Sequence, residues 1–371
     1  MKRVLFMAAL SAMALAGCVN EDLNNEEAQE IMRFDAPALM QSRTNFLGEI
    51  SGVKYPEAEW FTVYCKSYKG AFKGWESSTE ESDYFASEGE VAKSGHSVGA
   101  GKYWATDVVH YWPEVEFNLA FAAYSPAVLT TDPTSIAHTE KGLQIKGFKT
   151  EPTSDAQYDL MFSNRKYDLN KSTNANAAVP LVFKHALTSI VFSSQKSSAD
   201  VNYEITDLTV NGWFVQQGDF NQNITETLSG DVYSETEAPQ WENLVPATQE
   251  IMYEPSFAHF SVPVEAPAQF TSGTSALLLI PQDVPADASV TVYYDKTTNP
   301  GTASEKTLST SATIKLSDFA YEESGVVHKV DKWEMGKRYV YRIAFGQNTR
   351  IYFEPAVTDW IQEPTLIYTI Q

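Results

Sequence analysis

Apolar side chains in this sequence recur at every second position, in runs too short and too closely spaced to be anything but strands. Trp60–Lys66 reads WFTVYCK, with Phe61, Val63 and Cys65 on one face and Trp60, Thr62, Tyr64 and Lys66 on the other. Val115–Tyr124 reads VEFNLAFAAY, with Val115, Phe117, Leu119, Phe121 and Ala123 alternating. Further strands are expected at 143–148, 159–162, twice within 179–193, and at 204–210, 258–263, 276–280, 290–294, 312–316 and 339–345. Gly, Pro, Ser, Asn and Asp punctuate them, and 70–102 reads as hairpins and loops. No helix longer than a couple of turns is predicted. Short strands at short intervals build β-sandwiches rather than βαβ units. The polar run DLNKSTNANAA at 168–178 breaks the pattern and sets a boundary between an N-terminal domain, 31–175, and a C-terminal one, 176–371. Cys65 reads as a small apolar residue in a core.

The chain begins with a segment of another kind. Lys2 and Arg3 precede an apolar stretch, Val4 to Ala14, and Leu15-Ala16-Gly17-Cys18 closes it. The stretch is too short to cross about 30 Å of hydrocarbon as a helix, so 1–17 reads as a signal peptide. LAGC resembles a bacterial lipobox, which makes Cys18 the expected lipidation site and the outer membrane its partner through several acyl chains. Residues 19–30, VNEDLNNEEAQE, bury too little to offset ordering entropy and form an acidic tether extending from acylated Cys18. Residues 31–41, IMRFDAPALMQ, alternate again. Met32, Phe34, Ala36, Ala38 and Met40 share an apolar face, while Arg33, Asp35, Pro37 and Gln41 share the other. Pro37 lacks an N–H and demotes this first strand to a sheet edge. Just past it, Arg43-Thr44 offers a basic residue to a trypsin-like protease.

Charge and residue usage exclude several functions. With 27 Lys+Arg against 48 Asp+Glu the net charge is −21, so nucleic acid is not an expected partner. The chain has two cysteines. Once Cys18 carries lipid, only Cys65 remains, which precludes an intrachain disulfide and a cysteine zinc cluster. The six histidines are scattered, and His185 reads as a hydrogen-bonded structural residue. No metal site or cofactor is expected. G-x-S-x-G, H-E-x-x-H and a phosphate loop are absent, so the chain does not read as an enzyme.

Three runs are specific in combination. Leu277–Gln282 is an apolar strand stopped by Pro281. Trp333, Gly336 and Tyr339 give W-x-x-G-x-x-Y ahead of an alternating strand, and Val357-Thr-Asp-Trp360 follows. With LVFKHALTSIVF at 181–192 and YWPEVEFNLAFAAY at 111–124, they resemble the fimbrillin family of lipoprotein-derived type V pilus subunits. The resemblance implies two tandem transthyretin-like Greek-key β-sandwich domains after a lipoprotein signal peptide. It implies display on the outer membrane, cleavage after the Arg that follows the first strand, and assembly with other pilus subunits by strand exchange. Arg43 matches that cleavage position, and Thr44 becomes the new N-terminus. The tail Thr365–Ile370, with Leu366, Tyr368 and Ile370 on one side, is a candidate donor strand or a plain last strand of its own domain. Adhesion to host or bacterial surface ligands is compatible with this reading. Two alternatives stand beside it: a surface glycan-binding lipoprotein, favoured by paired exposed aromatics, and an uncleaved anchor or accessory subunit.

Overall fold

A computed structural model of the chain describes residues 32–35, 60–76, 82–98, 101–127, 129, 133–174, 178–264, 266–319, 321–323, 326–346, 361–362 and 366–370. Among them the chain is all-β, and its one α-helix is the single turn Lys171–Asn174.

The principal strands of the first half are β1 (Phe34–Asp35), β2 (Phe61–Lys69), β3 (Glu90–Val98), β4 (Gly101–Thr106), β5 (Phe117–Ser125), β6 (Ser135–Thr139), β7 (Gly142–Lys149), β8 (Met161–Ser163), β9 (Val179–Pro180) and β10 (Phe183–His185). One sheet runs in the order β9-β1-β4-β3-β2-β5-β8-β10. Both of its ends come from one stretch of chain. Pro180 and Phe183 lie within about 11 Å even if the backbone between them is fully extended, so the sheet rolls back on itself. Phe61, Val63 and Cys65 of β2 and Leu119, Phe121 and Ala123 of β5 fill the roll. The opposite faces of the same strands are buried too. Tyr64, Tyr68 and Tyr124 there pack, with Ala120 and Ala122, on Leu143, Ile145 and Phe148 of β7. The alanines keep β5 thin where a second sheet crosses it. Val115, expected to point inward, is 63% exposed. A turn closed by Phe117 N–H donating to Glu114 C=O precedes β5, so the alternation starts two residues later.

The second half contributes β11 (Thr188–Lys196), β12 (Val201–Gly212), β13 (Val215–Asn221), β14 (Ile224–Ser229), β15 (Val232–Glu237), β16 (Gln240–Pro246), β17 (Ser289–Thr298), β18 (Lys306–Lys315), β19 (Lys337–Phe345) and β20 (Leu366–Ile370). The parallel pair β11–β19 packs over the antiparallel run β12-β17-β18, with Phe192, Ile205, Val290, Val292, Tyr341 and Ile343 between them. The W-x-x-G-x-x-Y run closes one end. Trp333 is fully buried, its Nε1–H donates to Tyr341 Oη at 2.9 Å, and its ring stacks 5.7 Å from Phe214. Gly336 takes φ +71°, which places its N–H 2.8 Å from Leu187 C=O. His185 Nδ1–H donates to the Asp159 carboxylate at 2.9 Å, a hydrogen-bonded structural residue.

Two hairpins in 215–246 escaped the periodicity reading. Their residues are mostly polar, and β15 alternates half-buried and exposed positions with no apolar stripe. Yet β13 pairs with β7, so the sheet β16-β13-β7-β6 takes strands from both halves. Together with β9 and β10 in the first roll, the sheets run across the expected boundary at 175/176.

A buried cation fastens the β14–β15 hairpin to the first half. Arg165, whose side chain is shut off from water, reaches Glu226 at 2.6 Å and Glu235 at 3.4 Å and stands 5.1 Å over the Trp75 ring. His138 lies 4.2 Å edge-on to Trp75, and both its ring nitrogens are sealed from water without a hydrogen-bond partner. Burial, then the nearby Arg165 and Lys66 charges, hold its pKa well below 6.5. An unfolded chain binds that proton more readily than the folded one, so the neutral ring's stabilisation is full above pH 6.5 and is lost on acidification. Wild-type stability, followed by urea denaturation, is expected to fall from pH 6.5 towards 5 more steeply than that of His138→Phe. The excess slope approaches at most about 1.4 kcal/mol per pH unit.

Candidate assembly site: the first strand and its seam

β1 lies between β4 and β9 and completes the roll. Phe34 pairs antiparallel with Trp104 of β4 and parallel with Val179 of β9. Val179 N–H donates to Arg33 C=O at 2.7 Å, and Met32 N–H donates to His110 C=O at 2.9 Å. Met32 and Phe34, expected on the apolar face, are buried, at 2% and 0% exposure. Phe34 meets three rings edge-on, Phe121 at 5.8 Å, Phe61 at 6.1 Å and Phe85 at 6.3 Å. This geometry suits the aromatic quadrupoles and adds to simple burial.

Arg33 departs from the expectation of a solvent-facing residue. It is buried, and its guanidinium stands 5.4 Å over the Tyr103 ring of β4. A long aliphatic stem and a ring face let a cation cover a sheet surface. Much of the seam's wall was invisible to strand counting. Phe85 falls in 70–102, which read as hairpins and loops, and Trp104 and His110 lie just beyond it, where no strand was expected. His110 is held by Glu90 at 2.8 Å and lies 4.3 Å from Phe85. Cys65 lines the same core, and burial followed by the Glu90 charge pushes its thiol pKa well above the ordinary value.

Other expected site residues are placed as follows. Cys18, Ala36, Ala38, Met40, Arg43 and Thr44 lie outside the described residues. The tail strand β20 runs parallel along β19, with Tyr341 opposite Leu366, Ile343 opposite Tyr368 and Phe345 opposite Ile370. It lies at the margin of its own half's sheet, on the side of β19 away from β11. Among the described residues no group of three or more His, Cys, Asp or Glu is placed to hold a metal ion. Trp75, Trp104, Trp112 and Trp333 are buried, whereas Trp60 and Trp213 are about half exposed.

A fimbrillin-like family model matches residues 71–360. The chain belongs to the fimbrillin-like family. It is a family of structural fimbrial proteins, not of enzymes. Among solved structures, a fimbrial protein from Bacteroides vulgatus is 15% identical, with a TM-score of 0.49 over 85% of this chain and 95% of that one. A protein assigned to cell adhesion from Bacteroides uniformis is 10% identical, with a TM-score of 0.41 over 85% and 92%. No curated protein matches the chain.

Replacing Phe34 with Ala in this fimbrillin-like chain removes a ring enclosed by aromatics. It is expected to cost about 3–5 kcal/mol in denaturant unfolding of the full chain.

Proposed function

We propose that this chain is a pilus subunit exported as a lipoprotein through Cys18 and matured by a trypsin-like cut after Arg43. Its first strand then leaves, and a strand from another subunit takes its place. The observation that supports this reading most is the burial of Met32 and Phe34 in a seam between two strands that each pair with β1. Burying those two side chains is worth about 3–6 kcal/mol. Withdrawing them uncovers an apolar slot flanked by unpaired backbone on β4 and β9. Such a slot is a template for β-augmentation by a strand of matching alternation.

The tail has its own requirement. For Leu366–Ile370 to act as a donor, β20 must leave β19 and expose that strand's edge. A subunit that keeps β20 in place accepts a neighbour's strand and passes none on, the arrangement of a terminal subunit. Lipid attachment at the outer membrane before cleavage and pilus display after it follow from the same sequence of steps. The uncleaved anchor is the second reading.

N-terminal sequencing of protein sheared from cells tests the proposal. The expected chain starts at Thr44, and Arg43→Ala is expected to keep the protein membrane-bound with the acyl group on Cys18. A wild-type population that uniformly retains acylated Cys18 favours the anchor and contradicts strand release.

A further inference from the structure

A cleft of about 1150 Å³ opens where the 215–246 hairpins meet the two-stranded ladder formed by Gln282–Asp283 and Lys332–Trp333. It lies outside the seam, and neither strand exchange nor lipid attachment uses it. Two indoles line it. Trp213 is 51% exposed although its neighbour Phe214 is fully buried, so the backbone turns this one ring out to water. Trp241 is fixed: its Nε1–H donates to Ala186 C=O at 2.7 Å, and Phe148 and Phe220 each pack 5.5 Å away. Gly218 makes room for it, since a Cβ there would come within 3.2 Å of the indole and 2.9 Å of Leu244.

The floor is equally preset. Gln282, buried, accepts Val215 N–H at 2.7 Å and donates to Ile280 C=O at 3.0 Å, which ties the ladder to β13. Pro239, Pro246, Pro281 and Pro285 stiffen the rim and offer no N–H for strand pairing. The charges largely cancel. Glu237 is paired with Lys184 at 2.6 Å, and Glu334 with Lys337 at 2.6 Å. Asp283 and Lys332 sit opposite each other across the ladder, exposed, and their side chains make no hydrogen bond or ion pair among the described residues.

A rigid, open, charge-balanced cleft with an exposed ring face and uncommitted polar groups suits a ligand with flat C–H faces and a rim of hydroxyls. We propose that this cleft binds a neutral oligosaccharide, with a pyranose ring stacked on Trp213 and hydroxyls held by Asp283 and Lys332. Trp241 positions the opposite wall. Preorganisation lowers the ordering cost of binding, which matters for a ligand that gains little from burial. The net charge of −21 disfavours sialylated or sulfated ligands. The inference stands whether or not the first strand is exchanged.

The test titrates the full mature chain with maltopentaose, cellopentaose, xylopentaose, neutral glycans released from mucin and the sialylated glycans of the same mucin. Indole fluorescence and saturation-transfer NMR are read together. At least one neutral glycan is expected to bind with a Kd of about 1 mM or tighter. Trp213→Ala is expected to weaken it at least about tenfold, or about 1.4 kcal/mol, with an unchanged unfolding midpoint. Asp283→Asn, also exposed, is expected to weaken it by a smaller factor. The proposal is overturned if no glycan shows saturable binding up to about 10 mM, if Trp213→Ala binds as wild type does, or if anionic glycans bind best.

Discussion

Closure of the N-terminal roll by β1 is the constraint on which the account rests. A sheet that curls back on itself must either pair its last edges or leave backbone groups open beside an apolar interior. Phe34 and Asp35 supply the ladder positions, and Met32 and Phe34 supply the buried bulk. Phe34 sits against rings from β2, β5 and the bend at Phe85, so one side chain touches three parts of the wall. The slot is thus apolar and walled by aromatic rings.

The two halves are coupled away from the seam. The sheet β16-β13-β7-β6 takes strands from both, and Arg165 binds two glutamates of the β14–β15 hairpin from the opposite half. A buried cation with partners on a neighbouring element is costly to separate, because each glutamate would be left unpaired in a partly dry site. β2 and β5 are buried on both faces, with the interior of the roll on one side and β7 on the other.

Much of this was legible in the sequence. WFTVYCK and VEFNLAFAAY announced β2 and β5, and Met32 and Phe34 were placed on the face that the structure buries. The W-x-x-G-x-x-Y run found its reason in a buried Trp, a left-handed Gly and a Tyr339 hydroxyl that accepts Glu334 N–H at 3.0 Å. The 215–246 hairpins were not legible, because half-exposed strands rich in Gln, Glu and Thr carry no apolar stripe. Nor was the burial of Arg33, since a cation over a tyrosine ring leaves no periodic trace. The seam's wall was only partly visible, because Phe85 and His110 come from turns, where local pattern says nothing about what packs against them.

Cys65 supplies the most direct probe of the central claim. It lines the same core as Phe34, and with Cys18 replaced by Ser it is the chain's one thiol. Its alkylation rate should be low in the intact protein, rise sharply once the chain is cut after Arg43 and the released segment is removed, and fall again when a peptide spanning 31–43 is added back. A rate unchanged by removal of that segment would show that the strand fills no vacancy, and the account of an exchangeable first strand would be wrong.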